Sequence, residues 1–251
     1  MSITTIDGRR VEYDIAGSGT PVVVLLNGHA TPMSSWDRLL PHLSGPGTVL
    51  RYNRAGIGAS ERPLAPQDGD AIVARLDALL DALSLEGPYL LVAHSLGGLY
   101  ANLYARRHPQ RVRGLVLVEA GHPDEALQRE AGLGRVARGL TRLLGLGRSS
   151  FRNDPHSEFN AVAATVVQVR EAPAFPDIPL SVITGTHRMP LVPTGAFERH
   201  RQMQRRLVEL APHGRQVLAQ ASGHFPQLNE PALVADTIGA MVASSCAAPA
   251  S

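Results

Sequence analysis

The sequence contains no lysine and only one cysteine, and each shortage excludes a class of function. All 24 basic residues are arginine, and 22 acidic residues leave a net charge of +2. Proteins that bind a nucleic-acid backbone usually carry a clear excess of positive charge, whereas these arginines are scattered among acids. The single Cys246 can form neither a disulfide framework nor a CxxC metal site within one chain. We therefore expect no nucleic-acid partner and a reducing compartment.

Long apolar runs are missing as well. No stretch approaches the roughly 18 apolar residues of a membrane span, and the N-terminus lacks a basic region followed by an apolar run. These absences predict a cytoplasmic protein with no membrane partner. An apolar fraction of 44% over 251 residues is ordinary for one domain with a sizeable core.

Short apolar runs alternate with amphipathic stretches, which is typical of an α/β protein whose helices cover both faces of a mostly parallel sheet. An opening hairpin is predicted over 3–6 and 9–15, turning at Asp7-Gly8. Six further strands are predicted at 21–26, 48–53, 89–93, 114–119, 180–184 and 215–219. Helices are predicted at 35–43, 70–84, 96–107, 196–210 and 231–244.

The longest interval without a predicted strand covers residues 122–178. We expect it to be a helical insertion, so that 1–121 and 179–251 form the α/β core. Apolar residues recur in it at helical spacing while arginines fall on another face, which indicates a partly solvated helix. These residues are Leu133, Val136, Leu140, Leu143 and Leu144 on the apolar side, and Arg135, Arg138 and Arg142 on the other.

The sharpest local signal is the segment LLVAHSLGGLYANLYARRH at 90–108. An apolar strand stops at His94, Ser95 follows, and a helix begins at once. The small residues Ala93 and Gly97 flank Ser95 at the spacing of a nucleophile elbow, a tight turn that holds a serine at strained backbone angles. The alternative is a simple strand-to-helix turn with a serine N-cap.

Two further loops lie at the carboxyl ends of predicted strands, where ligands bind in open α/β sheets. The segment QASGHFPQLNEP places His224 just after the last strand, in the chain order nucleophile then histidine. The segment NGHATPMSSW follows strand 21–26, and its N–H at His29, or else at Ala30, would complete an oxyanion hole with that of Leu96.

Together these segments resemble the α/β-hydrolase fold superfamily over essentially the whole chain. NGHATPMSSW is similar to the family's His-Gly oxyanion loop, YNRAGIGAS at 52–60 to its glycine-rich loop, VAHSLGG to the elbow and ASGHFPQLNEP to the histidine loop. The resemblance implies that 122–178 is a cap over the active site. Asn27 and Asn53 depart from the family's His and Asp, and we expect these changes to alter loop hydrogen bonds only.

The acid of the triad is the largest departure, because no carboxylate follows strand 180–184 in the family's Gly-x-x-Asp pattern. Three candidates remain. Asp177 precedes a strand and belongs to the opposite end of the sheet, and Asp124 is placed to cap a helix. Glu119 ends the strand after the elbow helix, at the same sheet end as Ser95, and some α/β-hydrolases take their acid there. The alternative is that Glu119 bonds N–H groups of its own loop.

These residues predict a serine hydrolase for a small carboxylic ester, lactone or thioester, with no cofactor and no metal. Ser95, His224 and Glu119 would be the catalytic residues, and His94, His122 and His187 would contact substrate. Family members with an Asp nucleophile, such as dehalogenases and epoxide hydrolases, are disfavoured by Ser95. A non-catalytic binding or signalling protein and a cofactor-free haloperoxidase-like enzyme remain as alternatives.

Overall fold

A single twisted sheet forms the centre of the computed structural model, which describes residues 1–43, 47–126, 154–190 and 192–246. Within these ranges the sheet has eight strands in the order β1-β2-β4-β3-β5-β6-β7-β8. The strands are β1 (Ser2–Ile6), β2 (Arg9–Ser18), β3 (Val22–Leu26), β4 (Gly47–Tyr52), β5 (Tyr89–His94), β6 (Val112–Val118), β7 (Leu180–Gly185) and β8 (Arg215–Ala219).

The pairing of the strands confirms the predicted α/β class. β1 and β2 pair antiparallel, β2 pairs antiparallel with β4, and all later neighbours are parallel. The hairpin turns at Asp7 and Gly8, whose φ values of +50° and +71° suit a tight two-residue turn. β3, β5 and β6 are buried on both faces, which explains why their sequences are apolar runs without polar alternation.

Helices cover both faces of the sheet. They are α1 (Gly69–Ala82), α2 (Gly97–Arg107), α3 (Val162–Glu171), α4 (Thr194–Val208), α5 (Pro226–Asn229) and α6 (Pro231–Cys246). α1, α2 and α3 pack with one another in the larger apolar cluster, and α6 packs against β5 and β6 on the opposite face. α4 lies beside β7 and β8, near the carboxyl ends of the strands.

The predicted helix at 35–43 is wrong in form. The chain makes two short 3-10 helices instead, Met33–Trp36 and Leu40–His42. Pro41 contributes to the break, because it lacks the N–H donor that a continuous α-helix would need at this position. α3 falls within the segment 122–178 that was predicted to be helical, although no bounds were predicted for it, and α5 was not predicted.

The described part of the predicted insertion does not stand apart from the core. α3 packs against α1 and α2, and its Thr165 and Val166 are completely buried. The leucines and arginines predicted to form a cap helix, from Leu133 to Leu144, lie outside the described residues. The cap and its boundaries at 122 and 178 therefore stay predictions. Across the described ranges, no helix has both the length and the apolar character needed to cross a bilayer.

Candidate active site

Ser95 lies in the sharp turn between β5 and α2. Its φ of +52° is left-handed, a conformation that residues with a side chain adopt rarely and that clusters at functional sites. The Ser95 N–H donates to the carbonyl of Val118 at 3.2 Å, and the Ser95 carbonyl accepts from the Gly121 N–H at 2.8 Å. The end of β6 thus fixes the turn on both sides of the serine.

Two glycines let the backbone approach this turn. A Cβ on Gly97 would lie 2.5 Å from the carbonyl oxygen of Asn27 and 2.7 Å from that of Leu26. A Cβ on Gly28 would lie 2.8 Å from Nδ1 of His94 and 3.3 Å from Cβ of Ser95. Gly97 and Gly28 are therefore required where the end of β3 and the loop after it approach the turn at Ser95.

His224 stands beside Ser95 at the carboxyl end of β8. Its Nε2 lies 3.0 Å from the Ser95 Oγ, within hydrogen-bond range. The His224 backbone carbonyl accepts a bond of 2.7 Å from Nε2 of His94, a side chain only 1% exposed. Burial, together with the nearby His224, lowers the pKa of His94 to about 3, so His94 is neutral. This geometry favours His94 as a support for the histidine loop over substrate contact.

Glu119 directly follows β6 and reaches the other side of His224. Its Oε2 lies 3.3 Å from His224 Nδ1, and its Oε1 accepts from the Gly185 N–H at 2.7 Å. Glu119 has a left-handed φ of +47°, a second strained residue within the same small region. The backbone donor belongs to β7, so the alternative in which Glu119 serves only its own loop does not describe its contacts.

A second histidine, His200 of α4, also bonds Glu119 and was not predicted. Its Nε2 lies 2.8 Å from Glu119 Oε2, and its Nδ1 lies 2.9 Å from both carboxylate oxygens of Glu125. Burial alone would raise the pKa of Glu119, but the bonds from His200, His224 and Gly185 lower it to about 2. Burial alone would lower the pKa of His200, but its two carboxylate partners raise it to about 9.

The other candidate acids lie elsewhere. Asp124 is bonded to Arg170 and, at 2.8 Å, to Arg206, which makes it part of a half-exposed ion-pair cluster. Asp177 lies ahead of β7, among residues at the opposite end of the sheet. Of the three acids considered, Glu119 is the one in contact with His224.

The loop after β3 carries the predicted oxyanion donors. The Ala30 N–H donates to Oε1 of Glu158 at 2.9 Å, so this donor is engaged, which favours His29 over Ala30 as the predicted oxyanion donor. Leu96 begins the first turn of α2, where backbone N–H groups lack intrahelical partners. Leu96 directly follows Ser95 in the sequence, and His29 directly follows Gly28, which lies against Ser95.

A buried ion pair holds this loop from behind. Arg54 donates to the carbonyls of Asn27 at 2.8 Å and Gly28 at 2.7 Å, and its guanidinium pairs with Glu158. Burial favours the neutral form of Glu158, but Arg54 outweighs it and lowers the pKa of that carboxyl. Neither member of this pair was predicted from the sequence.

The two asparagines that depart from the family pattern are structural. Asn27 donates to the carbonyl of Tyr52 at 2.9 Å and accepts from the indole N–H of Trp36 at 2.8 Å. Asn53 accepts from the Met33 N–H at 2.7 Å and donates to Glu12 at 2.6 Å. Asn53 must be an amide here, because an aspartate would face the carboxylate of Glu12.

The remaining predicted substrate contacts differ in their surroundings. His187 is exposed and lies, with His200 and His224, along a cleft of about 680 Å³ beside α4. The cleft also carries apolar side chains, including Met189, Phe197 and Met203. His122 is largely buried, and its Nδ1 accepts from the Asp124 N–H at 3.1 Å. No group of three or more side chains suited to holding a metal ion occurs among the described residues.

The charges on Glu119 and His200 predict how stability depends on pH. Folding lowers the pKa of Glu119 from 4.5 to about 2, so its contribution is complete above pH 4.5 and lost as the pH falls. Folding raises the pKa of His200 from 6.5 to about 9, so its contribution is complete below pH 6.5 and lost as the pH rises through 9. The free energy of unfolding measured with urea should therefore contain both contributions in full between pH 4.5 and 6.5.

Glu125→Gln removes one of the two carboxylates that raise the pKa of His200, so the loss of stability at alkaline pH should be smaller in this variant. A loss as large as that of the native protein would contradict the role given to His200.

The comparisons with known proteins agree with this architecture. A sequence profile of the α/β-hydrolase fold family matches residues 21–145. A haloalkane dehalogenase from Sphingobium indicum is 36% identical over 121 residues, which are 46% of this chain and 40% of that protein. An uncharacterised Bacillus subtilis protein is 32% identical over 108 residues, 43% of each chain. The chain thus spans about two fifths of the length of these curated relatives.

Solved structures extend the likeness over the whole fold. An enol-lactonase from Burkholderia xenovorans has a TM-score of 0.68 and 21% identity, covering 96% of this chain and 100% of that one. A thermophilic esterase from Thermogutta terrifontis has a TM-score of 0.67 and 22% identity, covering 97% of both chains. At these identities the likeness shows the fold. With the family profile and the strand order, it places this chain in the α/β-hydrolase fold superfamily.

Proposed function

We propose that this chain is a serine hydrolase that cleaves a small carboxylic ester, lactone or thioester through an acyl-enzyme. One observation carries the proposal: a continuous line of hydrogen-bond contacts runs from Ser95 Oγ through His224 to Glu119. A nucleophile beside a base that is itself oriented by an acid is the arrangement that activates a serine. An intact line of this kind favours an enzyme over a binding protein with a vestigial triad.

The mechanism follows from the positions of these groups. His224 Nε2 accepts the Ser95 proton as Oγ attacks the substrate carbonyl, and then delivers that proton to the leaving alcohol or thiol. A water deprotonated by the same nitrogen attacks the acyl carbonyl and regenerates Ser95. Glu119 holds Nδ1–H of His224 and stabilises the imidazolium that forms in each step.

The oxyanion of each tetrahedral intermediate would be held by backbone donors. Leu96 N–H lies at the beginning of α2, where the helix dipole also favours negative charge. His29 N–H would supply the second bond from the loop that Arg54 and Glu158 hold in place. One such donor contributes about 2.7 to 4 kcal/mol to acyl transfer.

The nature of the nucleophile separates this proposal from dehalogenation, the activity named for the Sphingobium relative. Displacement of a halide by Ser95 Oγ would form an alkyl ether. An ether has no carbonyl for water to attack, so the enzyme would not turn over. An acyl group on the same oxygen is an ester, which the second half of the mechanism hydrolyses.

The proposal is tested by labelling the protein with a fluorophosphonate, which reacts with activated serines. We expect labelling of the native protein and its complete loss in Ser95→Ala. Ser34→Ala, a change at an exposed serine in the 3-10 helix after β3, is the matched control and should label normally. No labelling of the folded native protein would refute the proposal. A series of esters graded by acyl length, with a lactone and a thioester, would then define the substrate.

A further inference from the structure

We propose that His200 is a positioning residue that is charged at neutral pH, an imidazolium held between Glu119 and Glu125 in a clamp that fixes Glu119 in its contact with His224. The inference rests on the proposed function for its catalytic consequence, but not for the charge of His200. It assigns a role to two residues, His200 and Glu125, that the triad itself does not contain.

The geometry of the hydrogen bonds determines the charge. A neutral imidazole has one N–H donor and one nitrogen lone pair, whereas an imidazolium has two donors. Both ring nitrogens of His200 face carboxylates, Glu119 at 2.8 Å and Glu125 at 2.9 Å. A lone pair directed at an ionised carboxylate would be repelled, so both nitrogens carry protons when Glu119 and Glu125 are both ionised. Neither nitrogen is left to serve as a base for Ser95.

The docking of α4 keeps His200 in place. His200, Gln204 and Leu207 form the buried face of this helix. Gln204, one turn after His200, donates to the carbonyl of Ala120 at 2.7 Å. Side chains from two successive turns of α4 therefore bond Glu119 and Ala120, the two residues that follow β6. The Gly185 N–H donates to the second oxygen of Glu119, so His200 and Gly185 fix the carboxylate without any contribution from His224.

The net charge of Glu119, Glu125 and His200 suits the stabilisation of a positive charge on His224. Glu119 and Glu125 carry two negative charges and His200 one positive charge, which leaves one negative charge to stabilise the imidazolium of His224. Loss of the His200 proton would leave two negative charges and one lone pair facing a carboxylate. The clamp would then open, and Glu119 would be held by His224 and Gly185 alone.

Other charged groups around the clamp do not replace this balance. Arg199 and Arg206 of α4 line the same cleft, as does His187 from the loop after β7. Arg206 is paired with Asp124, which also pairs with Arg170. Burial of His200 works against its charge, and its two carboxylates overcome that penalty to give a pKa of about 9.

The first test reads the charge directly. In protein labelled with ¹⁵N-histidine, we expect both ring nitrogens of His200 to be protonated at pH 7 and to titrate near pH 9. Glu125→Gln removes one carboxylate and should move that midpoint down by about one pH unit or more. Glu198→Gln, the same change at an exposed position of α4, should leave it unmoved. A neutral His200 at pH 7 would overturn the proposal whatever the activity.

The second test reads the coupling to the triad. The ring signals of His224 should show a step at the His200 midpoint, and the step should move with it in Glu125→Gln. In each of the two proteins, the rate of Ser95 labelling should decline at high pH with a midpoint equal to the His200 midpoint of that protein. If the His224 signals ignore the titration of His200, then His200 is structural and the positioning role fails. If the signals respond but Ser95 never reacts, the clamp stands and the proposed hydrolase activity fails.

Discussion

Replacing Glu119 with Gln is expected to lower kcat by about 10⁴-fold while the protein remains folded. A neutral amide cannot balance the positive charge that forms on His224 during proton transfer. It can also donate its N–H to Nδ1 and so favour the tautomer whose Nε2 cannot accept the Ser95 proton. A comparable loss follows the Asp→Asn change in the triad of serine proteases. KM should change little, because this carboxylate acts on the transition state.

Asp124→Asn is the matched control, since it makes the same carboxylate-to-amide change five residues away. Its partners are Arg170 and Arg206, both about half exposed, and their loss should cost no more than about 1 kcal/mol of stability. Turnover of Asp124→Asn should therefore stay within a few-fold of native. A larger loss in Asp124→Asn than in Glu119→Gln would assign the acid to Asp124. Circular dichroism of both variants checks that the fold is retained.

Most of the sheet could be predicted because its strands are short apolar runs between turn residues. β3, β5 and β7 differ from their predicted bounds by one residue. α3 lies in the predicted helical insertion, but its bounds were not predicted because its sequence, VAATVVQVRE, is rich in β-branched residues with low helix propensity. Packing of its buried valines against α1 and α2 overrides that local preference.

The contacts within the candidate site could be predicted where chain position alone brings residues together. Ser95, Glu119 and His224 each follow a parallel strand, so the sheet gathers them at one edge without further information. His200 lies 81 residues from Glu119 and 75 from Glu125, and only the packing of α4 joins them. The one available signal was a histidine on the buried face of an amphipathic helix. Glu158 and Arg54 are also far apart in the chain, by 104 residues, so their pairing too could not be predicted from the sequence.

The second large effect concerns that pair, which is the most deeply buried ion pair among the described residues. Side-chain exposure is 4% for Arg54 and 3% for Glu158. Glu158 is the first residue of a short 3-10 helix, Glu158–Ala161, that leads into α3. It also accepts the Ala30 N–H and so connects this segment to the loop after β3. The aromatic ring of Tyr100 lies 5.2 Å from the guanidinium and leaves little room for solvent. Removing one charge therefore leaves the other buried without an opposite charge beside it.

Glu158→Gln is expected to lower the free energy of unfolding by about 3 to 5 kcal/mol, measured by urea denaturation. Burial alone would favour a neutral Arg54, but Glu158 outweighs it and raises the pKa of the guanidinium well above its ordinary value. Because arginine does not give up its proton, the variant would keep a buried charge with only carbonyl partners. The Ala30 N–H would also lose its charged acceptor, so Ser95 labelling should slow in the folded variant.

Asp81→Asn provides the matched control for this change. Asp81 also pairs with an arginine, Arg111, but its side chain is 62% exposed. Water and salt screen such a pair, so its loss should cost less than about 1 kcal/mol. An equal decrease in the free energy of unfolding in the two variants would mean that burial does not make the Arg54–Glu158 pair more important for stability than an exposed pair. The unequal losses expected here would show that the loop carrying His29 is held by charge, and that its position depends on the segment leading into α3.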